Sequence, residues 1–567
     1  MENLNLSDNQ IGSGQNSSQA AVCSALSSMT FPSMRELLLR QCFLSHGEIG
    51  GIADCMARGG MMQLEVLDLE HNKCVLPFLG RLGRALRKDV VPRLRTVNLT
   101  DARALAGAAD KEGMRIFLEA LGAPDCPPQL RVPCILIKKS ELRDAEVRAL
   151  GAGKYPSLPG LRLCLESQAA VFLREVVRAA EVPKFEDLEL FVEGGEEVLN
   201  PTWELLGDVL QARRFGFLRR LKISGRHVNE DLVSSESRRA FFSGLSVTRL
   251  PMLRNLYIAH VLLSDTDLTL FAEAVREGNL SGLHALSLCG LHTGTNSLLG
   301  FGRVGMEALM SAVVQSAEGL PHLRDLSFAH TYAGTKAAEV GGSFVAALGS
   351  GNFRSLEVVD LGWLGCALDQ NGVGHLAAAV RNNAFPPKLT GRCISFSISW
   401  ELSEDAPNID GLITAIAESE HGLPACIESL DFSGARFSVD ALVTLASSGG
   451  GGAGGRLSGL NLLRLCGCNV DGGMFKRLGE VFSVHPCPKL ERLILWHNRI
   501  SAKGVSAFFD ALTPQSLPQL RYLGLGFQEL HPRPAQKTKF RNSVRTVWQA
   551  AREAGKVRGL VGMPDCL

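Results

Sequence analysis

Two groups of residues in this chain of 567 residues have spacings that could support chemistry. Gly300, Gly302 and Gly305 form a G-x-G-x-x-G sequence before the helix-like segment MEALMSAVV, a pattern typical of loops that cradle dinucleotide phosphates. Such a loop must follow a strand directly, whereas the preceding strand-like segment ends near Leu288, about a dozen residues too early. We therefore predict no bound nucleotide or other cofactor.

Cysteine and histidine side chains near the carboxy terminus could bind zinc. Cys468 follows one extended segment and Cys487 precedes the next, so about 15 Å of extended chain separates them. This separation argues against a shared metal ion, and we predict no metal site. The residues of this group are Cys466, Cys468, His485, Cys487 and His497.

The sequence gives no support for catalysis. It contains no G-x-S-x-G or H-E-x-x-H motif, and no spacing of Ser, His and Asp singles out a catalytic triad. We predict that the protein is not an enzyme.

Composition excludes several further classes. Lys and Arg number 59 and Asp and Glu 58, so the net charge of +1 predicts no attraction to nucleic acid or anionic membranes. No apolar run is long enough to span a bilayer, and the start, MENLNLSDNQIG, does not resemble a signal peptide. The 15 cysteines are spread along the chain, as expected for reduced thiols. We predict a cytoplasmic protein.

The stretch from Pro488 to Phe527 contains a repeated pattern of leucines that predicts the secondary structure on which any functional residue lies. It contains Leu490, Leu493 and Leu495, followed by Asn498, and the pattern recurs from Leu520. Residues two apart leave the same face of an extended segment, and the segment GVSAFFDAL that follows has helical spacing. Each copy is therefore predicted to be a strand, a turn and a helix that needs neighbours on both sides. The asparagine can satisfy backbone groups where the strand turns.

This spacing, L-x-x-L-x-L-x-x-N-x-L, resembles a leucine-rich repeat, and the A-x-x-F-x-x-A-L-like helices resemble the ribonuclease-inhibitor-like subfamily. The resemblance implies an α/β solenoid, a horseshoe with a concave parallel β-sheet and convex helices. It covers residues 1–530 in about 17 irregular copies. Asparagine is scarce at the ninth position, and Pro133 indicates one lost copy. Because the first copy starts at Met1, we keep open that the chain is a fragment.

Residues 531–567 differ in composition, with eight Lys or Arg against Glu553 and Asp565. We predict a basic helix that caps the last repeat; the alternative is a basic amphipathic helix that contacts a partner or a membrane surface. Its predicted apolar face consists of Phe540, Val544, Val547, Trp548 and Ala551.

The predicted binding surface consists of side chains that alternate with the ladder leucines and point to the concave face. Trp, Tyr and Arg are the residue types that most often anchor interfaces. We predict that a monomer binds another protein there, without catalysis. The candidate partner-binding residues are Arg464, Arg492, Ile494, Trp496, Tyr522, Tyr257 and Trp363.

Three alternative functions stay open. The repeats are similar to those of Ran-type GTPase-activating proteins, although that family carries an acidic carboxy-terminal segment and this tail is basic. The chain could be the sensor-arm fragment of a nucleotide-oligomerisation-type receptor, although it has no ATPase module. A true ribonuclease inhibitor is less favoured, because this chain lacks the acidic surface that a basic ribonuclease would favour.

Overall fold

In the computed structural model the chain divides into two compact units, Met1–Val261 and Leu262–Leu567. The predicted boundary near residue 530 stays a prediction. The residues that the structure describes are 2–9, 11, 22, 24–26, 28–44, 46–72, 76–100, 111–138, 142–225, 233–261, 263–289, 301–315, 320–328, 337–350, 352–360, 366–389, 394–398, 407–424, 427–448, 456–526, 528 and 534–557.

The first unit alternates short parallel strands with helices. Strands β1 to β4 form one sheet in sequence order, and strands β5 to β9 pair in sequence order. The strands are β1 (Asn3–Asn5), β2 (Glu36–Leu38), β3 (Val66–Asp68), β4 (Thr96–Asn98), β5 (Ile135–Lys138), β6 (Gly160–Leu165), β7 (Asp187–Val192), β8 (Arg220–Gly225) and β9 (Asn255–Ala259). The helices are α1 (His46–Ala57), α2 (Leu76–Ala85), α3 (Lys111–Gly122), α4 (Asp144–Gly151), α5 (Gln168–Arg178), α6 (Glu196–Gln211) and α7 (Ser235–Val247).

The second unit has the same alternation. Strands β10 to β12 pair in sequence order, and β13 to β18 form a six-stranded parallel sheet. The strands are β10 (Ala285–Cys289), β11 (Asp325–Ser327), β12 (Val358–Asp360), β13 (Cys366–Leu368), β14 (Ile394–Ile398), β15 (Ile427–Asp431), β16 (Leu462–Arg464), β17 (Arg492–Ile494) and β18 (Tyr522–Gly524). The helices are α8 (Asp265–Arg276), α9 (Arg303–Gln315), α10 (Ala337–Leu348), α11 (Gln370–Arg381), α12 (Asp410–Glu418), α13 (Val439–Ser447), α14 (Gly472–Val484), α15 (Ala502–Ala511) and α16 (Pro534–Glu553).

The ladder leucines form the core, as the spacing predicts. Leu493 is fully buried and Leu523 is 1% exposed, and Val505 and Phe508 of α15 are fully buried. A strand buried on one side and a helix buried along one stripe need each other to exclude water. The predicted α/β repeat solenoid is therefore confirmed within each unit.

Polar side chains at the ninth position of the repeat hold consecutive copies together. Asn498 Nδ2 donates to the carbonyl oxygens of Leu465 and Leu495 at 2.7 and 3.0 Å, and its Oδ1 accepts from the backbone N–H of Val470 at 2.9 Å. Asn72 is arranged in the same way in the first unit. These bonds satisfy backbone groups that the turn after each strand would otherwise bury unpaired.

The residue before the ninth position has a left-handed backbone conformation in many copies. Side chains that tolerate this region, or no side chain at all, are therefore favoured there. The residues with positive φ at this position are Asp8, Gln41, His71, His260, Gly434, Gly467 and His497.

The copy near Pro133 is displaced and not lost, so that prediction is wrong. Proline has no backbone N–H for the ladder, and strand β5 starts two residues later, at Ile135. Between β4 and β5, among the residues that the structure describes, only the isolated bridge Thr96–Arg131 continues the pairing. The proline thus accounts for a break between two sheets of the first unit. Strand β13 in the second unit was not predicted.

Candidate functional site

Five of the predicted partner-binding residues lie together in the second unit, four of them on the neighbouring strands β16, β17 and β18 and Trp496 just after β17. Arg492 of β17 pairs in register with Tyr522 of β18, and Arg464 of β16 pairs with Ile494. These side chains alternate with the buried leucines and therefore share the opposite sheet face. We call Arg464, Arg492, Trp496 and Tyr522 the carboxy-terminal patch.

A glycine creates the space in which the aromatic side chains of the patch pack. Gly524 stands next to Ile494 in the sheet, at a template position where most copies carry a side chain. A Cβ atom at Gly524 would lie 2.7 Å from Trp496 Nε1 and 3.1 Å from Tyr522 Cε1. Both rings therefore occupy the volume that this side chain would take, and both remain partly exposed.

Charged groups border the aromatic pair. Arg492 is exposed, while Arg464 Nη1 donates to Asp431 Oδ2 at 2.7 Å. The side chains of Arg464 and Asp431 are 39% and 21% exposed, so this ion pair is accessible to water and to a partner. The patch thus offers a rigid aromatic centre with guanidinium groups at its edge.

The prediction that Ile494 is exposed is wrong. Its side chain is only 4% exposed, although it points to the same face as Arg492. Its Cγ2 atom lies 3.2 Å from the Cβ position of Gly524, so it belongs to the packing beneath the two rings. Ile494 can support the patch but cannot itself meet a partner without rearrangement of these rings.

Tyr257 lies in the first unit, in a row of charged residues that crosses four strands. Arg162, Glu189, Lys222 and Tyr257 pair in register from β6 to β9, and we call this row the central ladder. Arg162 Nε lies 2.6 Å from Glu189 Oε2, and Lys222 forms an ion pair with Oε1 of the same carboxylate. Tyr257 contributes its ring to a cation–π contact with Arg220, 5.8 Å away.

Glu189 is fully buried even though it stands on the polar face of the sheet. A buried carboxylate is tolerated only when cations compensate it, and here cations stand on both adjacent strands. Asp187 lies two residues before Glu189 on the same strand, and its carboxylate contacts Arg220 at 3.4 Å. Burial raises the pKa of the Asp187 carboxyl above its ordinary value. The central ladder therefore buries one carboxylate beneath cations that are themselves partly exposed, with side chains 20% exposed for Arg162 and 28% for Lys222. The role of Tyr257 in binding stays a prediction.

Sequence reasoning missed Glu189, although a signal exists. Arg162, Glu189 and Lys222 all occupy the place between the two ladder residues of their copies, so comparison of that one position shows alternating charge. Trp363, the remaining predicted site residue, lies outside the described residues, and its role stays a prediction.

The glycine-rich motif is occupied by a carboxylate from another helix. Asp265 Oδ1 accepts hydrogen bonds from the backbone N–H groups of Gly302 and Gly305 at 2.6 and 2.9 Å. Gly300 lies outside the described residues. Two of the N–H groups that a phosphate would need at the start of α9 are therefore already satisfied by the protein itself.

The cysteine and histidine group separates into individual side chains, of which Cys468, His485 and Cys487 are buried while Cys466 is partly exposed and His497 is exposed. Cys468 donates weakly to the carbonyl oxygen of Phe432, with a sulfur–oxygen distance of 3.0 Å. His485 Nε2 lies 2.8 Å from the carbonyl oxygen of Leu445. Where the structure describes the chain, no three His, Cys, Asp or Glu side chains are grouped as metal ligands would be.

Comparison with known proteins gives one family match. A sequence model described as "Leucine Rich repeat" matches residues 487–509, which include β17 and most of α15. No curated protein sequence matches the chain. Within the described part of the chain, none of the helices has the length and hydropathy that a bilayer span requires.

Two solved structures are similar over most of the chain at low identity. The mouse RP105/MD-1 complex contains a chain that is 14% identical, with 89% of this chain and 77% of that chain covered and a TM-score of 0.33. The TLR13–ssRNA13 complex contains one that is 11% identical, with 90% and 87% covered and a TM-score of 0.26. Similarity this low carries no inference about ligands.

Proposed function

Because the chain is a leucine-rich repeat protein, we propose that it binds another protein through the carboxy-terminal patch and performs no catalysis. One observation carries this proposal: Trp496 and Tyr522 pack around Gly524 and keep part of each ring exposed. Tryptophan and tyrosine are frequent interface hot spots, and a ring already held in place loses little conformational entropy when a partner docks. The Arg492 guanidinium beside them can contact acidic or carbonyl groups at the rim.

The elements below the patch support this role, because they fix its geometry before any partner arrives. Asn498 follows Trp496 and joins two consecutive copies. Gln528 makes equivalent bonds one copy later, with Nε2 donating to the Leu495 carbonyl oxygen at 2.9 Å and Oε1 accepting from Ile500 at 2.9 Å. Such a preformed surface favours docking with little backbone movement.

The proposal extends to the finer assignments that the sequence suggests. We assign the repeats to the ribonuclease-inhibitor-like type, which the complete helices such as α14 and α15 between short strands support. We assign the protein to the cytoplasm, which buried free thiols such as Cys487, whose pKa is raised by burial, support. We also propose that it is a monomer. Light scattering at several concentrations and cell fractionation test the two latter assignments.

Affinity capture with a double variant tests the binding role. We expect Trp496→Ala/Tyr522→Ala to lose the partners that the wild type captures from a cell lysate, by more than about tenfold for a true hot spot. Phe43→Ala/Phe217→Ala is the matched control, because these two aromatic side chains are exposed in the first unit. If the patch variant retained every partner, or if the control lost the same ones, the proposal would be wrong.

A second assay separates binding from the catalytic alternative. With a panel of small GTPases we expect no acceleration of GTP hydrolysis by the wild-type chain. Acceleration of any one of them would replace the binding proposal with a GTPase-activating function.

A further inference from the structure

The near-neutral total charge conceals an uneven distribution along the chain. Residues 531–567 carry eight basic and two acidic side chains, a net charge of +6. Removing them from the totals of 59 and 58 leaves 51 basic and 56 acidic residues, a net charge of −5. The excess of basic over acidic residues therefore lies in the last segment, which contains helix α16.

Helix α16 is packed against α15 of the same unit along its apolar side. Phe540, Val544 and Trp548 are 4%, 0% and 9% exposed, respectively. Beyond the helix, Lys556 Nζ donates to the carbonyl oxygens of Phe509 and Asp510 at 3.0 Å each, near the end of α15. Because the apolar side is buried, the opposite side is held facing solvent.

A line of exposed arginines runs along this helix at the border of its buried side. Arg541, Arg545 and Arg552 are exposed and lie at helical spacing beside the buried apolar side, with Lys537 one turn earlier. The Arg552 guanidinium lies over the Trp548 ring, 5.6 Å from its centroid. We call these four residues the basic stripe. From Lys537 to Arg552 the helix rises about 22 Å. Glu553 is the only acidic residue in the sequence of α16.

This arrangement is unfavourable for the helix by itself. Like charges four residues apart repel each other, as Arg541 and Arg545 must. Lys537 and Lys539 also stand near the amino-terminal end, where the helix dipole favours acidic side chains, and the first turn contains none. An anionic partner along the stripe would relieve both effects.

We propose that the basic stripe binds an acidic segment of a partner protein. The aromatic residues of α16, Phe540 and Trp548, are buried, so they can neither insert into a membrane nor stack on the bases of a single-stranded nucleic acid. Extended polyanions such as a membrane surface or duplex DNA would also meet the net negative charge of the remaining chain. A short acidic peptide contacts the stripe alone.

Fluorescence anisotropy with a labelled oligoglutamate peptide tests this proposal. An extended peptide of about eight residues spans the stripe. We expect saturable binding at low salt, and a loss of about tenfold or more in affinity for Arg541→Glu/Arg545→Glu, because charge reversal turns attraction into repulsion. Arg541→Gln/Arg545→Gln should give a smaller loss in the same direction.

Arg84→Glu/Arg148→Glu is the matched control, because it reverses two exposed helical arginines of the first unit and changes the net charge equally. It should retain the affinity of the wild type within about twofold. Trp496→Ala/Tyr522→Ala should also retain it, which separates this site from the carboxy-terminal patch. Absence of peptide binding by the wild type, an equal loss in the control, or tighter binding to phosphatidylserine vesicles or duplex DNA would each overturn the proposal.

Discussion

The same position of the repeat is used in two different ways in the two units. In the first unit, the residues between the ladder positions are Arg162, Glu189 and Lys222, and their charges seal a carboxylate away from water. In the second unit the equivalent row contains Ile494 and Gly524, and aromatic rings from other positions fill the space above the glycine. The ion pairs of the first row bury their carboxylate, whereas the second row has the partly exposed ion pair Arg464–Asp431 and presents rings to solvent.

This difference shows that neighbouring strands, rather than residue type, decide exposure on this sheet face. Glutamate is normally exposed and isoleucine normally buried, yet both are buried here on the face that points away from the leucines. Glu189 is covered because cations flank it, and Ile494 because Gly524 lets two rings close over it. We therefore expect changes in the central ladder to affect folding, and changes in the carboxy-terminal patch to affect binding.

The largest effect is expected in the central ladder. Arg162→Met/Lys222→Met leaves Glu189 buried without a cation, and we expect the free energy of unfolding to fall by about 3–5 kcal/mol in urea denaturation. The triple variant that adds Glu189→Leu should recover most of this loss, because an apolar row needs no compensation. Equal stability of the double and triple variants would show that Glu189 is not what makes the double variant unstable.

The second largest loss of stability is expected when Gly524 is replaced by alanine. In Gly524→Ala the new Cβ atom would lie 2.7 Å from Trp496 Nε1 and 3.2 Å from Ile494 Cγ2. The rings must shift, which we expect to cost about 1–3 kcal/mol and to weaken partner capture. Gly411→Ala is the control in the same unit, because no atom lies within 4 Å of its Cβ position. A Gly524→Ala variant with unchanged stability and binding would remove the packing argument for the patch.

The sequence predicts the repeat but not the contents of these rows, for a physical reason. The leucine spacing around Leu493 is local, since two residues of extended chain bring both side chains to one face. The burial of Ile494 depends on Gly524, thirty residues later, and that of Glu189 depends on copies before and after it. Pro133 misled the prediction because the strand restarts two residues later, which the spacing of that copy alone does not show.

A fall in pH should change the stability of the two units in opposite directions, because burial shifts the pKa of a different kind of group in each. Burial lowers the pKa of His485 in the second unit below its ordinary value of 6.5. The unfolded chain then binds a proton more readily than the folded one, so stability is lost as pH falls from 6.5 through the folded pKa. For Asp187 in the first unit, burial raises the pKa above 3.8. The penalty of its charge is therefore present above the folded pKa and is relieved as pH falls through it.

Urea unfolding of two conservative variants checks these signs. Between about pH 7.5 and 5.5 the wild type should lose about 1 kcal/mol more than His485→Gln, which needs no proton. Asp187→Asn should be more stable than the wild type by about 1 kcal/mol at neutral pH, and this advantage should shrink toward pH 4. Parallel pH curves for either variant and the wild type would contradict the assignment for that residue.

The smallest loss of stability is expected for the ion pair between Asp431 and Arg464, because both side chains are partly exposed to water. Asp431 occupies the same position of its repeat as Glu189. Asp431 pairs with Arg464 in the second unit, with side chains 21% and 39% exposed, while Glu189 is fully buried between its cations. Asp431→Asn removes the charge and leaves Oδ1 to accept from the Ser433 backbone N–H, a bond of 3.1 Å in the wild type. We expect the free energy of unfolding to fall by less than about 1 kcal/mol, since exposed ion pairs contribute little.

Glu189→Gln, which makes the same chemical change in the buried row, should lower the free energy of unfolding several times more. Equal losses for the two amides would mean that burial does not distinguish the rows, and the contrast between a folding row and a binding row would have to be abandoned.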